Sequence, residues 1–131
     1  MNLEDRINEE MVVDAESLLE EYFEEASQLF RIFGDGSVDT KQEFNDAPWR
    51  ERVLIHLIGR RYAFEGGNAD SPTLSYDYFY ARVEVDDSTV RNYMNSLADD
   101  LIVTKDDENG EWMIVPDNLP EALSRIEGLQ E

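Results

Sequence analysis

The sequence predicts a mainly helical α+β protein with one small antiparallel hairpin, and three observations carry that prediction. Apolar residues recur at helical spacing through most of the chain. Asn109-Gly110, the strongest short hairpin signal, lies between two short β-prone runs. Pro116 then stops the second run, because proline has no amide to give to a ladder.

Residues 2–10 are polar and are expected to fray. Over residues 12–33, Leu18, Leu19, Tyr22, Phe23, Ala26, Leu29, Phe30 and Phe33 cover one broad face and predict a single amphipathic helix. Gly34 is the expected left-handed stop. So apolar a face needs cover, either from its own domain or from a second copy of the chain, and a dimer is the favoured expectation. Residues 34–48 read as a connector. Asp35, Ser37, Asp39 and Asp46 approach the oxygen spacing of a calcium loop, but Thr40 stands where glycine is required and Asp46 where a bidentate glutamate belongs. The segment is therefore an Asp/Gly turn rather than a metal site. On this reading residues 1–48 form a helix and connector that serve dimerisation, and residues 49–131 form the principal domain.

Residues 49–64 are the most apolar helix. Val53, Leu54, Ile55, Leu57, Ile58 and Tyr62 leave only a narrow polar strip, so it should be the central core helix. Arg60 and Arg61 lie near its C-terminus, where cations suit the helix dipole, a role favoured here over a phosphate contact. His56 is the only histidine and has no cysteine to build a zinc site with. Residues 65–73 form a loop in which Pro72 limits any strand to an edge. Residues 74–82 form an aromatic helix whose Tyr76, Tyr78, Phe79 and Tyr80 cannot all face inward. Residues 83–86 are a turn.

The next helix opens at Asp86 or Asp87, both good N-caps. Val90, Met94, Leu97 and Leu101 fall on its buried face, with Tyr93 at the edge. Ser88, Arg91, Asn92 and Asn95 fall on the opposite face. The two β-prone runs follow, at residues 101–104 and 112–115, joined by an acidic turn. Pro116-Asp117-Asn118 is expected to cap a last helix over residues 119–129.

Composition limits the chemistry. There is no cysteine, which excludes disulfides, thiol catalysis and thiolate metal sites. No apolar run approaches the length of a membrane span, and residues 1–6 carry acid rather than the apolar core of a signal peptide, so a cytoplasmic protein without membrane contact is expected. No nucleophile–base pair, carboxylate pair or phosphate loop is recognisable, so neither an enzyme nor a bound cofactor is expected. Asp and Glu number 31 against 11 Lys and Arg, a net charge of −20, and only two of the 11 cations are Lys. Many acids, little lysine and retained arginine resemble the proteins of halophiles that balance salt internally. In molar salt the Debye length falls to about 3 Å, so such a surface repels a polyanion far less than it does in dilute buffer. An acidic mimic of nucleic acid, seated in a basic groove, is the competing reading of the same charge.

Residues 49–115 resemble a winged helix-turn-helix domain. DDSTVRNYMNSLADDLIV matches that family's recognition helix and its exit into a two-stranded wing, with Asp100 where the family often has glycine. The resemblance implies a winged helix-turn-helix with an extra N-terminal helix and a short C-terminal one. It also implies sequence-specific binding of double-stranded DNA by a transcriptional regulator, as a homodimer. Arginine is the natural bidentate donor to guanine and asparagine to adenine, which makes Arg91, Asn92 and Asn95 the candidate readers. Ser88 and Thr89 stand at the helix start, where phosphate binds, and Lys105 and Arg82 flank it as candidate backbone contacts. The plainer reading of these residues is a solvated surface face. A protein-interaction module or acidic decoy in a larger assembly is the alternative function. Its support is the acidic wing tip, Asp106-Asp107-Glu108, and the balance of three cations to five acids from Arg82 to Lys105.

Overall fold

The computed structural model describes residues 2–10 and 15–126 and gives a mixed α+β protein with two small antiparallel hairpins. The centre is helix α4, Trp49–Glu65. Val53, Leu54, Ile55, Leu57, Ile58 and Ala63 are all buried, as expected of a helix with so narrow a polar strip. It packs against one hairpin on one side and against the last strand of the other hairpin on another.

Ahead of α4 the chain departs from the expected single long helix. Residues 2–10 contain a helix, α1 (Leu3–Glu10), whose Asp5 amide donates to Asn2 Oδ1 at 2.9 Å. Helices α2 (Ala15–Glu21) and α3 (Phe23–Ser27) follow, and then the predicted helix becomes a strand, β1 (Phe30–Ile32). Residues 11–14, and with them the predicted start of that helix, lie outside the described residues. β1 pairs with β2 (Val38–Thr40), which lies in what reads as a connector, in the register Phe30↔Thr40, Arg31↔Asp39, Ile32↔Val38. The left-handed residue is Gly36 (φ 88°) in the hairpin turn, not Gly34. Asp35 is the anchor of that turn: its Oδ1 accepts from the Ser37 amide at 3.0 Å and the Ser37 hydroxyl at 2.6 Å. Those bonds hold its carboxyl below the usual carboxylate range. Among the described residues there is no group of three or more acidic or histidine side chains able to hold a metal.

Hairpin and α4 meet at Gly59. A Cβ there would lie 2.5 Å from Val38 Cγ1 and 3.2 Å from Phe30 Cγ, so the close approach of β1–β2 requires the missing side chain. The N-terminal stripe is spent largely on this packing: Leu19, Ala26, Leu29 and Phe30 are buried, and Tyr62 donates its hydroxyl to the Leu19 carbonyl. Phe23 and Phe33 stay exposed.

After α4 come helix α5 (Tyr76–Tyr80), shorter than predicted and capped by Ser75 Oγ, and helix α6 (Asp87–Asp99). β3 (Val103–Lys105) and β4 (Trp112–Ile114) form the second hairpin, as the Asn-Gly signal requires. Leu74 adds a single antiparallel bridge to Trp112, with amide–carbonyl bonds of 2.8 and 2.9 Å. The 3₁₀ turn Pro116–Asn118 leads into α7 (Leu119–Ser124); the rest of the predicted last helix, residues 127–131, lies outside the described residues.

The end of α6 corrects the expected core stripe. Val90, Met94 and Leu97 are buried, but Leu101 is 66% exposed, and Ile102 takes the interior position. Leu101 is left-handed, with φ 62°. The Ile102 amide bonds to the Leu97 carbonyl at 2.9 Å and the Leu101 amide to the Ala98 carbonyl at 3.0 Å, the two bonds of a Schellman motif. Leu101 therefore occupies the place where glycine is usual. Asn118 does not cap α7 with its side chain; its Nδ2 donates to the Leu101 carbonyl at 2.7 Å, while the Val115 amide donates to the Ile102 carbonyl at 2.8 Å. No described helix is long and apolar enough to cross a membrane.

Candidate nucleic-acid interface

α6 presents the residues expected of it. Ser88, Arg91, Asn92 and Asn95 are exposed on one face, and Thr89 is half-buried beside them. Asp86 stands at the N-cap without a side-chain capping bond, so Ser88 and Thr89 occupy the first turn.

Arg91 is positioned by α5. Its Nη1 donates to the Tyr80 hydroxyl at 3.2 Å. Tyr80 stacks nearly parallel to Tyr76, with centroids 5.8 Å apart and planes 10° apart. Tyr76 sets its edge against Trp112 of β4 at 6.1 Å, and the Lys105 ammonium lies 5.6 Å from the Trp112 ring centroid. A ladder of three rings thus connects the cation of α6 to the cation of the second hairpin. The ladder follows from sequence in part. Tyr76 and Tyr80 are four residues apart on one helix, so they share a face, and the Leu74–Trp112 bridge brings β4 to the start of that helix.

Arg82, also expected at this site, is held elsewhere. Its guanidinium lies 3.6 Å from the Tyr78 ring centroid, and its Nη1 donates to the Tyr78 carbonyl at 2.9 Å. That places it with the α4 side chains below Tyr78 rather than on the Arg91–Lys105 ladder. Arg50, not singled out from sequence, sits over both Trp49 (5.4 Å) and Tyr93 (5.5 Å). Burial pushes the Tyr93 hydroxyl up to about 12, so it stays a neutral donor, here to the Arg50 carbonyl at 3.3 Å.

These cations share one property. Among the described residues, Arg50, Arg52, Arg60, Arg82, Arg91 and Lys105 have no carboxylate within 4.0 Å, although the chain holds 31 acids. The ion pairs that do form use Arg31, Arg61 and Arg125. Rings, hydroxyls and backbone carbonyls position Arg50, Arg52, Arg82 and Arg91, and no described carboxylate pairs with their charge. A ring's quadrupole attracts a cation without neutralising it, so such a cation can still take an anion. Acid stands close by in sequence: Glu84, Asp86 and Asp87 precede the α6 face and Asp99 and Asp100 end it, while Asp106 to Glu108 tip the hairpin.

The chain matches no family model, no curated protein and no solved structure.

Proposed function

We propose that the protein is a sequence-specific double-stranded DNA-binding regulator of transcription, with a winged helix-turn-helix fold, working as a homodimer in a salt-rich cytoplasm. The observation that carries this reading is Arg91: exposed on α6, aimed by the Tyr80 hydroxyl, and paired with no described carboxylate in a chain of net charge −20. The order α4, α5, α6, β3, β4, with Leu74 bridged to the hairpin, supports the winged-helix assignment. In this reading Arg91, Asn92 and Asn95 meet base edges, Ser88 and Thr89 meet phosphate at the helix start, and Lys105 meets the backbone from the hairpin. Molar salt screens the acidic remainder of the surface.

The test is selection from random DNA duplexes in molar KCl, with the Arg91→Ala/Asn95→Ala variant in parallel. A motif enriched by the native protein and lost by the variant is expected, each lost base contact costing about 1–3 kcal/mol. An inverted repeat in that motif would report the two-fold dimer. Equal enrichment by both proteins would refute the role of α6. The alternative, a protein-interaction module, draws on the acidic hairpin tip and on a cleft of about 160 Å³ lined by Phe23, Ala26, Phe30, Ile32 and Tyr62. No enriched motif at any salt would favour it.

A further inference from the structure

We propose that Arg52, Arg60 and Arg82, gathered around His56 and Tyr78, form a binding site for a phosphate group on a different face from the Arg91–Lys105 ladder. The site stands independently of what α6 reads. Its residues come from two helical stripes. Arg52, His56 and Arg60 are spaced by four on α4 and share a line along that helix; Tyr78 and Arg82 are spaced by four at α5 and its exit. The stripes are fastened together. His56 Nδ1 and the Tyr78 hydroxyl lie 2.7 Å apart, with their rings edge to face at 5.4 Å. Arg52 Nη1 donates to the Arg82 carbonyl at 3.4 Å, and its Nε donates to the Ala47 carbonyl at 3.1 Å.

The charges of Arg82 and Arg52 act on His56 and those of Arg82 and Arg60 on Tyr78, so the three guanidiniums share one electrostatic neighbourhood, and no described carboxylate within ion-pair distance relieves them. Arg60 is the extreme case. Its guanidinium makes no hydrogen bond within the described residues, and its Nε is buried without a partner. Asp39 of β2, whose charge acts on His56 and Tyr78, pairs with Arg31 at 3.1 Å on its own hairpin. A protein with 31 acids has ready means to neutralise three arginines, yet no described acid pairs with this cluster. Guanidiniums match the oxygens of phosphate in paired, directional bonds, and phosphate brings more charge and more acceptor oxygens than a carboxylate. It is thus the oxyanion suited to three guanidiniums.

His56 reports on the site. It is neutral at physiological pH, its pKa lowered to about 4 by burial and then by Arg82 and Arg52, against the opposing pull of Asp39. An anion bound among the arginines favours its protonated form. As the only histidine, it gives a single imidazole signal.

The experiment follows that signal by NMR in molar KCl while inorganic phosphate, a mononucleotide or a short duplex is added. A saturable shift with a raised titration midpoint is expected. Arg60→Gln and Arg82→Gln should each weaken apparent affinity by about tenfold or more, while Lys41→Gln, outside the cluster, should not. If the duplex moves the signal equally in the Arg91→Ala/Asn95→Ala background, a nucleic-acid backbone supplies the phosphate. If only the small anions move it, a free phosphorylated ligand does. Both outcomes support the site. No saturable shift with any of the three probes, or a shift undiminished in both arginine variants while the circular dichroism is native, overturns it.

Discussion

Gly59→Ala sets two opposing effects against each other. Alanine favours a helix interior over glycine by about 1 kcal/mol, so by propensity alone the change stabilises α4. Yet the added Cβ lies 2.5 Å from Val38 Cγ1, more than an ångström inside ordinary carbon contact, and 3.2 Å from Phe30 Cγ. Both neighbours are buried core residues on paired strands, so neither is the free end of a flexible side chain. Overpacking of this kind costs about 1–3 kcal/mol. Set against the propensity gain, a net destabilisation of up to about 2 kcal/mol is expected. Urea unfolding in molar KCl measures it. The Val38→Ala variant completes a double-mutant cycle: alone it should cost about 1–3 kcal/mol as a cavity, and less in the Gly59→Ala background, where the new methyl fills part of the space. A Gly59→Ala protein more stable than the native one, with additive double-mutant energies, would refute the close approach of hairpin and helix.

Three further outcomes follow. His56 binds a proton at about 6.5 in the unfolded chain but at about 4 when folded, so the stability it contributes is whole above pH 6.5 and is lost as pH falls toward 4; that loss, at most about 3 kcal/mol, should be absent in His56→Gln when unfolding is compared across the window. At Leu101, where φ is 62°, glycine should be tolerated and valine should not, with Leu101→Gly more stable than Leu101→Val by about 1 kcal/mol or more in thermal unfolding. Tyr80→Phe removes the hydroxyl that aims Arg91 and should weaken binding to the best duplex by about 0.5–1.5 kcal/mol with the fold unchanged; unchanged affinity would show that Arg91 is not positioned through it.

Much of the fold was legible where one period dominated. α4 has too many apolar residues to be anything but a central helix, α6 has a clean stripe at Val90, Met94 and Leu97, and Asn109-Gly110 marks its hairpin. The failures came where two patterns overlapped. Leu29, Phe30 and Phe33 continue the helical spacing of residues 18–26, yet Phe30 to Ile32 also fits a short strand, and only pairing with Val38–Thr40 decides between them. The Asp35-Gly36-Ser37 turn that permits this pairing was legible as an Asp/Gly turn, but within a connector, without the strands that flank it. Leu101 fits the α6 stripe by spacing, but the helix ends before it and the reversal brings Ile102 inward. At the candidate interface the exposed α6 residues could be read from the wheel. The rings that hold their cations could not, because Lys105 with Trp112 and Arg91 with Tyr80 are tertiary meetings across strands and helices.

The left-handed turn at Leu101 has a consequence for anything that docks against α6. Its two reversal bonds tie the amides of Leu101 and Ile102 back to the helix, and the bonds from Asn118 and Val115 pin the carbonyls of the same two residues from the far side of the hairpin. Helix and hairpin therefore leave that point as one stiff corner, with Arg91 on one arm and Lys105 on the other. The spacing of the two backbone segments that carry these cations is built before any partner arrives, so little association energy goes into ordering those segments. On the proposed reading the corner acts as a ruler: an anionic partner whose groups match that interval meets both cations, and one spaced differently meets one but not both.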